Sequence, residues 1–438
     1  MSDEHALLAE LLDFLPRSPT PFHAASNLVD LLKAAGFVVL TEADEWQLQR
    51  GGRYVVTRND SSLIAFALGH DDPVTDGIHL AGAHTDSPCL KVKPNPDLLR
   101  SGYFQLGVEV YGGALLNPWF DRDLSLAGRV TFVDAKGELA NTLIDFKKPI
   151  ATIPSLAIHL DRDVNSSRSI NAQTQLPPVL MCQAGNTVPT FRALLLEEVH
   201  AQAGNENARE VLDYEISCYD TQPPALVGLA QEFISSARLD NLLSCFIGVK
   251  ALIAGSPREG GKRSSMMICT DHEEVGSAST SGAQGTFLQA VLRRIAGAHA
   301  SFSEERYVRM VDRSLLISCD NAHGVHPNFS DRHDGNHGPL LNQGPVIKIN
   351  ANQRYATNSE TAAQFRQLCR QVDAPVQSFV VRSDMACGST IGPIVATEIG
   401  VKAVDVGIPQ WAMHSIRETA GTRDCWYLFR ALQQFFTH

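Results

Sequence analysis

The run His84-Thr85-Asp86-Ser87-Pro88 places a histidine and an aspartate two residues apart, just after the apolar stretch Gly77-Ile78-His79-Leu80-Ala81-Gly82-Ala83. That stretch reads as a buried strand. Side chains at i and i+2 of an extended chain point to the same side. His84 can therefore bind a metal while Asp86 orients it from behind. Four further runs set acidic residues and histidines at the ends of apolar segments: Arg238-Leu239-Asp240-Asn241, Asp271-His272-Glu273-Glu274, Ser318-Cys319-Asp320-Asn321 and Ala412-Met413-His414-Ser415. The candidate ligands are His84, Asp240, Glu274, Asp320 and His414. All offer nitrogen or oxygen, which suits zinc, manganese or cobalt and not an iron–sulfur cluster. The set is too large for one tetrahedral zinc. It suits two metals sharing a carboxylate, a pair that holds a hydroxide and polarises a carbonyl.

The adjacent carboxylates Glu273 and Glu274 repel each other, and a turn at a strand end can point them to different tasks. One binds metal and the other stays free as a general base with a tuned pKa. The small-residue turn that follows, Val275-Gly276-Ser277-Ala278-Ser279, lets a backbone approach a ligand closely. A solvated acidic loop is the competing reading. His323, His326, His333 and His337 crowd another loop. His323-x-x-His326 has the look of a metal pair, but supporting or substrate-facing roles fit loop histidines better.

The elements that must position these groups follow from periodicity. Leucines at 7, 8, 11, 12 and 15 predict a helix over 4–15, and a second helix runs over 22–35 to Gly36. Strands follow at 54–56 and 62–67. Lys93-Pro94-Asn95-Pro96-Asp97 punctuates the chain. Residues 101–220 then alternate like strands with turns, interrupted by one helix near 190–202 and closed by a strand over 212–219. Beyond Pro223 and Pro224 the α/β texture returns. Helices are predicted over 225–236, to about 253, and over 286–298, 358–372, 391–399 and from 422 to the end. Strands are predicted at 265–270, 315–319, 377–381 and 401–406. This alternation implies an α/β fold with a mostly parallel sheet covered on both faces, whose functional groups gather at the strands' carboxyl ends. The β-rich stretch, 97–222, reads as an insert between 1–96 and 223–438.

Composition bounds the rest. A chain of 438 residues has room for more than one core. With 44% hydrophobic and 19% charged residues it is an ordinary globular composition. A net charge of −11 speaks against nucleic-acid binding. Nine cysteines without a Cys-x-x-Cys pair suit a reducing, cytoplasmic setting. The first residues lack the pattern of a signal peptide, and no apolar run approaches the ~18–20 residues that span a bilayer.

Six runs together resemble the aspartyl aminopeptidase family of dinuclear zinc exopeptidases. They are 83–88, Ser-Ala-Arg-Leu-Asp-Asn at 236–241, Asp-His-Glu-Glu-Val-Gly-Ser at 271–277, Asn-Ala-His-Gly-Val-His-Pro-Asn at 321–328, 348–357 and Ala-Met-His-Ser-Ile-Arg-Glu at 412–418. The resemblance spans essentially the whole chain, in order. It implies that His84 binds one metal, Asp240 bridges both, Glu274 and Asp320 hold one each, and His414 completes the second. Asp86 would support His84, and Glu273 would be the catalytic base. The metals would be two zinc ions per subunit, with cobalt or manganese as alternatives. The family fold is an α/β/α peptidase domain with an inserted β-rich dimerisation domain, assembled as a dodecamer. His159, on the insert, matches the residue that reaches the neighbouring subunit's site. Lys348 matches the position that meets the side-chain carboxylate of an N-terminal Asp or Glu. Tyr355 and His323, inside two of the runs, are further candidates for facing a peptide substrate. Two other readings stay open: the same metal centre acting on a non-peptide amide, and a metal-stabilised scaffold.

Overall fold

The computed structural model describes residues 3–185, 187–202, 206–256 and 261–437. The chain forms two compact units. The first comprises Met1–Asp86, Pro224–Met413 and Glu418–His438, and the second comprises Ser87–Pro223 with His414–Arg417.

The first unit is built on a nine-stranded sheet. Its order is Val38–Leu40, Arg53–Arg58, Ser62–Ala67, Ser264–Thr270, Ile78–His84, Leu315–Cys319, Lys402–Gly407, Val346–Lys348 and Gln377–Phe379. The strands from Ser264–Thr270 to Lys402–Gly407 run parallel, and the strand on either side of them, Ser62–Ala67 and Val346–Lys348, joins antiparallel. Strand alternation sends Ala81 and Ala83 to one face and Leu80 to the other, and likewise Met267 and Cys269 against Ile268. The alanine face packs on the helices Asp3–Phe14, Pro21–Ala34, Leu239–Gly255, Ser359–Gln371 and Thr422–Thr437. The opposite face packs on Phe287–Ala296, Glu304–Asp312 and Ile391–Ile399. This is a three-layer α/β/α unit with a mostly parallel core, as the alternation predicts. Both faces of the central strands are covered, so Ser264–Thr270 is buried along its whole length.

Residues 225–236 are a correction. The sequence predicts a helix there, but Ala225–Val227 and Phe233–Ser236 form an antiparallel hairpin. Gly228 turns it at φ +97°, with Gln231 also at positive φ. The hairpin belongs to a separate five-stranded sheet with Glu418–Gly421, Pro409–Trp411 and Ala322–His323.

The second unit holds a six-stranded, wholly antiparallel sheet. Helix Phe191–Gln202 packs on it through Phe191, Leu195 and Val199. Its strand Cys89–Arg100 runs straight through Pro94 and Pro96, where the sequence suggests a break. The register shift between Val92 and Asp97 absorbs the two prolines. The join between the units therefore falls at Asp86–Ser87 and not at residue 96.

Candidate metal centre

The sheet's topology brings the candidate groups together. His84 ends the strand Ile78–His84 and pairs in register with Thr270, the last residue of Ser264–Thr270. Asp271 to Glu274 follow that strand, and Asp320 follows Leu315–Cys319. These strands are parallel, so their carboxyl ends open on one side. Asp240 comes from the start of Leu239–Gly255, at a cis Asp240–Asn241 peptide.

Side-chain atoms of His84, Asp240 and Glu274 lie within 4.8 Å of one another. His84 Nε2 is 3.5 Å from Asp240 Oδ1, 3.6 Å from Asp320 Oδ1 and 4.0 Å from Glu273 Oε2. Its other ring nitrogen, Nδ1, lies 3.0 Å from the Asp86 carbonyl oxygen. A carbonyl can only accept, so Nδ1 carries the proton and Nε2 is turned toward the carboxylates. The Asp86 carboxylate has a further task. Its two oxygens accept from the backbone N–H groups of Glu273 and Glu274, each at 3.1 Å. Asp86 thus fixes the short turn Glu273–Val275 that aims both glutamates.

So many acidic groups in so little water perturb one another. Burial pushes the Glu273 carboxyl up to about 8; His84 pulls against this, while Asp320, Asp86 and Asp240 add to it. Burial, then Asp240, lifts Glu274 well above the ordinary range. Burial disfavours a charged His84, but the carboxylates of Asp240, Asp320 and Asp86 prevail and raise it. Asp320 goes the other way. Burial opposes its charge, yet the Lys348 ammonium and His84 hold it well below the usual carboxylate range. Lys348 Nζ donates to Asp320 Oδ2 at 3.2 Å and to the Asn321 carbonyl at 3.1 Å.

Such a cluster of buried oxygen and nitrogen donors fits a divalent cation. One histidine face and several like-charged carboxylates converge within bonding reach of a common point. His84, Asp240 and Glu274 would be the first to hold it, with Asp320 adjoining.

The other predicted residues are distributed as follows. His414 belongs to the second unit, where its Nδ1 lies 3.2 Å from the Gly113 carbonyl and its own carbonyl accepts from Leu115 N–H. His159 sits exposed in a turn of that unit. Tyr355 is buried beside Ala322, Val346 and Phe379, with Lys348 Nζ 5.2 Å from its ring centre. His323 is exposed and meets Phe379 edge-on. With His326 and His333 it lines a cavity of about 270 Å³ that also takes in Arg382 and Trp411.

Sequence reasoning missed the groups that brace the ligands. Glu418 Oε2 accepts from Asp240 N–H at 2.9 Å. Asn321 Nδ2 donates to Gln410 Oε1 and to the Leu239 carbonyl, and Asn241 Nδ2 donates to the Cys319 carbonyl. The one available signal was position: each asparagine directly follows a candidate ligand.

A cluster of candidate metal ligands at the carboxyl ends of a parallel sheet, in an α/β/α unit, fits a metal-dependent hydrolase. The profile described as "Aminopeptidase I zinc metalloprotease (M18)" matches residues 14–436. A "Probable M18 family aminopeptidase 2" of Ectopseudomonas mendocina is 60% identical over 431 residues, covering 98% of each chain. A chain in the cryo-EM structure of the Ape4 and Nbr1 complex shares the fold at TM-score 0.95 and 38% identity, over 99% of this chain and 86% of that one. The S. cerevisiae mApe1 dodecamer gives TM-score 0.86 and 28% identity over 98% and 96%. The chain belongs to the M18 family: it is an aminopeptidase, an exopeptidase acting at peptide N-termini.

Proposed function

We propose that this chain is a dinuclear metal aminopeptidase that releases single acidic residues, Asp or Glu, from peptide N-termini. The observation that carries this is the geometry around Asp86. One carboxylate holds both halves of the Glu273-Glu274 pair by their N–H groups, directly behind the His84 ligand. A scaffold needs ligands but has no use for a second, separately aimed glutamate.

His84, Asp240, Glu274 and Asp320 hold the ions; His414 joins this set on the strength of the sequence resemblance alone. Zinc bound there supplies the positive charge that polarises the scissile carbonyl and acidifies water. Glu273 accepts the proton of the attacking water on its carboxylate and delivers it to the leaving amine. Asp86 keeps Glu273 and Glu274 at fixed relative positions. Asn241 and Asn321 hold the backbone that carries Asp240 and Asp320.

Lys348 supports the acidic preference. It is 3% exposed, and two of its three N–H donors are spent on Asp320 and the Asn321 carbonyl. The third suits the side-chain carboxylate of an N-terminal Asp or Glu. Tyr355, whose ring lies 5.2 Å from Lys348 Nζ, and His323, on the wall of the 270 Å³ cavity, are the further substrate-facing groups of this reading.

The relative from S. cerevisiae is a dodecamer. The second unit carries exposed Leu99, Tyr103, Leu139, Leu156, Ile158 and Leu160, which supports its role as an assembly domain and a homododecameric state here. His159, between two of these, is then the residue that reaches a neighbouring subunit's site. Its nine free cysteines, and the lack of any described helix long and apolar enough to cross a membrane, suit a cytoplasmic enzyme.

A panel of aminoacyl chromogenic substrates, with zinc, cobalt and manganese in turn, tests the reading. Release from Asp- and Glu-substrates should exceed release from Leu- and Lys-substrates. Hydrolysis of N-acyl amino acids without release from free-amine substrates would assign the site to amide deacylation.

A further inference from the structure

Asp405 lies on Lys402–Gly407, an interior strand of the nine-stranded sheet, and is fully buried. It is neither a candidate ligand nor part of any run that resembles the family. Its contacts nonetheless converge on the groups around Lys348. Oδ2 accepts from Ala356 N–H at 2.6 Å, and Oδ1 accepts from Thr390 Oγ1 at 2.6 Å. Its own N–H donates to Thr357 Oγ1 at 2.9 Å. The loop after Lys348 is therefore tied to Asp405 on both residues that follow Tyr355. Thr390 opens the helix Ile391–Ile399, so the same carboxylate anchors that helix start.

Strand register brings Lys348 to the same place. Val346–Lys348 pairs antiparallel with Lys402–Gly407 through Val346↔Gly407 and Ile347↔Val406. The next residues along the two strands are Lys348 and Asp405. The fold has made room for this carboxylate: a Cβ on Gly392 would lie 2.3 Å from Asp405 Oδ1. Burial pushes the Asp405 carboxyl up, against the pull of Lys348 and the Thr390 hydroxyl.

We propose that Asp405 is a positioning residue: it fixes the Tyr355 loop and the Thr390 helix start around Lys348, and so shapes the pocket for an acidic N-terminal side chain. The specificity half of this inference rests on the acidic reading proposed above; the positioning half does not. Asp405 acts through geometry and touches no substrate atom.

Asp405→Asn and Asp405→Ala separate geometry from the rest. Asparagine keeps both ties, with its carbonyl accepting from Ala356 N–H and its amide donating to Thr390 Oγ1. Alanine keeps neither. The readouts are hydrogen exchange over 350–358, in metal-free and metal-loaded protein, and kcat/KM for Asp- and Glu- against Leu-substrates. Asp405→Ala should speed exchange over 350–358 and lower the acidic-to-neutral ratio by about tenfold or more, chiefly through KM. Asp405→Asn should restore both. Unchanged exchange in Asp405→Ala overturns the positioning role. Faster exchange with an unchanged ratio overturns the link to specificity. If Asp405→Ala does not fold, Thr390→Val, which cuts one tie, is read by the same two criteria. A wild-type enzyme indifferent to acidic residues would sink the acidic reading, while exchange would still decide the positioning role.

Discussion

Glu273 and Asp86 separate two kinds of contribution that a single acidic cluster can hide. Glu273→Gln keeps size and polarity and removes only the basic oxygen. Turnover should fall by ~10²–10⁴-fold, while metal content, measured by elemental analysis, stays at its wild-type value. A variant retaining over half its activity would place the base elsewhere. Asp86→Ala acts at one remove. It strips the acceptors from Glu273 and Glu274 N–H and loosens the backing of His84. Metal affinity, read by competition with a chelator, should weaken by ~10–100-fold; an unchanged affinity would reduce Asp86 to packing. The ligand candidates His84, Glu274 and Asp320 were legible because each lies just after or at the end of an apolar strand, and parallel strands deliver such residues to one edge; Asp240 was legible because it opens an apolar helix. The grip of Asp86 on the glutamate turn was not legible. It joins residues 187 and 188 positions apart, and no local spacing encodes that contact. Asp405 escaped for a related reason: inside Val404-Asp405-Val406 it reads as a polar interruption of a strand, and its partners come from two separate segments, the 356–357 loop and Thr390.

Among the elements, the last helix shows how an acidic residue can tune stability far from the metal centre. Asp424, in the first turn of Thr422–Thr437, accepts from Asn342 N–H and Gly344 N–H at 2.6 and 2.8 Å. Burial outweighs these two donors and pushes its carboxyl up to about 7, from an ordinary 3.8. The folded chain therefore holds this proton more tightly than the unfolded chain. The group's contribution is fully present below about pH 4 and is lost as pH rises toward 7, at about 1.4 kcal/mol per unit. Asp424→Asn cannot titrate. Its melting temperature relative to wild type should climb between pH 4 and 7, and parallel pH profiles would refute the assignment. Helices and strands with strong periodicity were readable from the chain; Ile391–Ile399 falls where its pattern predicts. The hairpin at 225–236 was not. Leu226, Leu229 and Phe233 imitate helical spacing, and the sequence marks the turn with a single glycine, Gly228. Pro94 and Pro96 misled in the opposite sense, since a register shift lets a strand keep both.

At the scale of the molecule, the second unit is spliced into the chain one residue after Asp86. Removing 87–223 should give a subunit that stays monomeric by light scattering and does not turn over peptides; an active monomer would contradict an assembly role for the insert. The splice also has a consequence in time. The strand Ile78–His84 is flanked in the finished sheet by Ser264–Thr270 and Leu315–Cys319. On the ribosome its first neighbour emerges roughly 190 residues later, about 10–40 s at ordinary elongation rates. Through that interval a strand that ends up almost wholly buried waits without a partner, while every strand of the six-stranded sheet has already been made. Newborn chains should therefore pass through a stage in which the later-encoded catalytic half is missing and the insert can already close its sheet. Protease digestion of stalled chains ending near residue 260 should cut around 78–84 and spare 87–223. The centre of the active site would then be the last part of this protein to become safe from the cell's quality control.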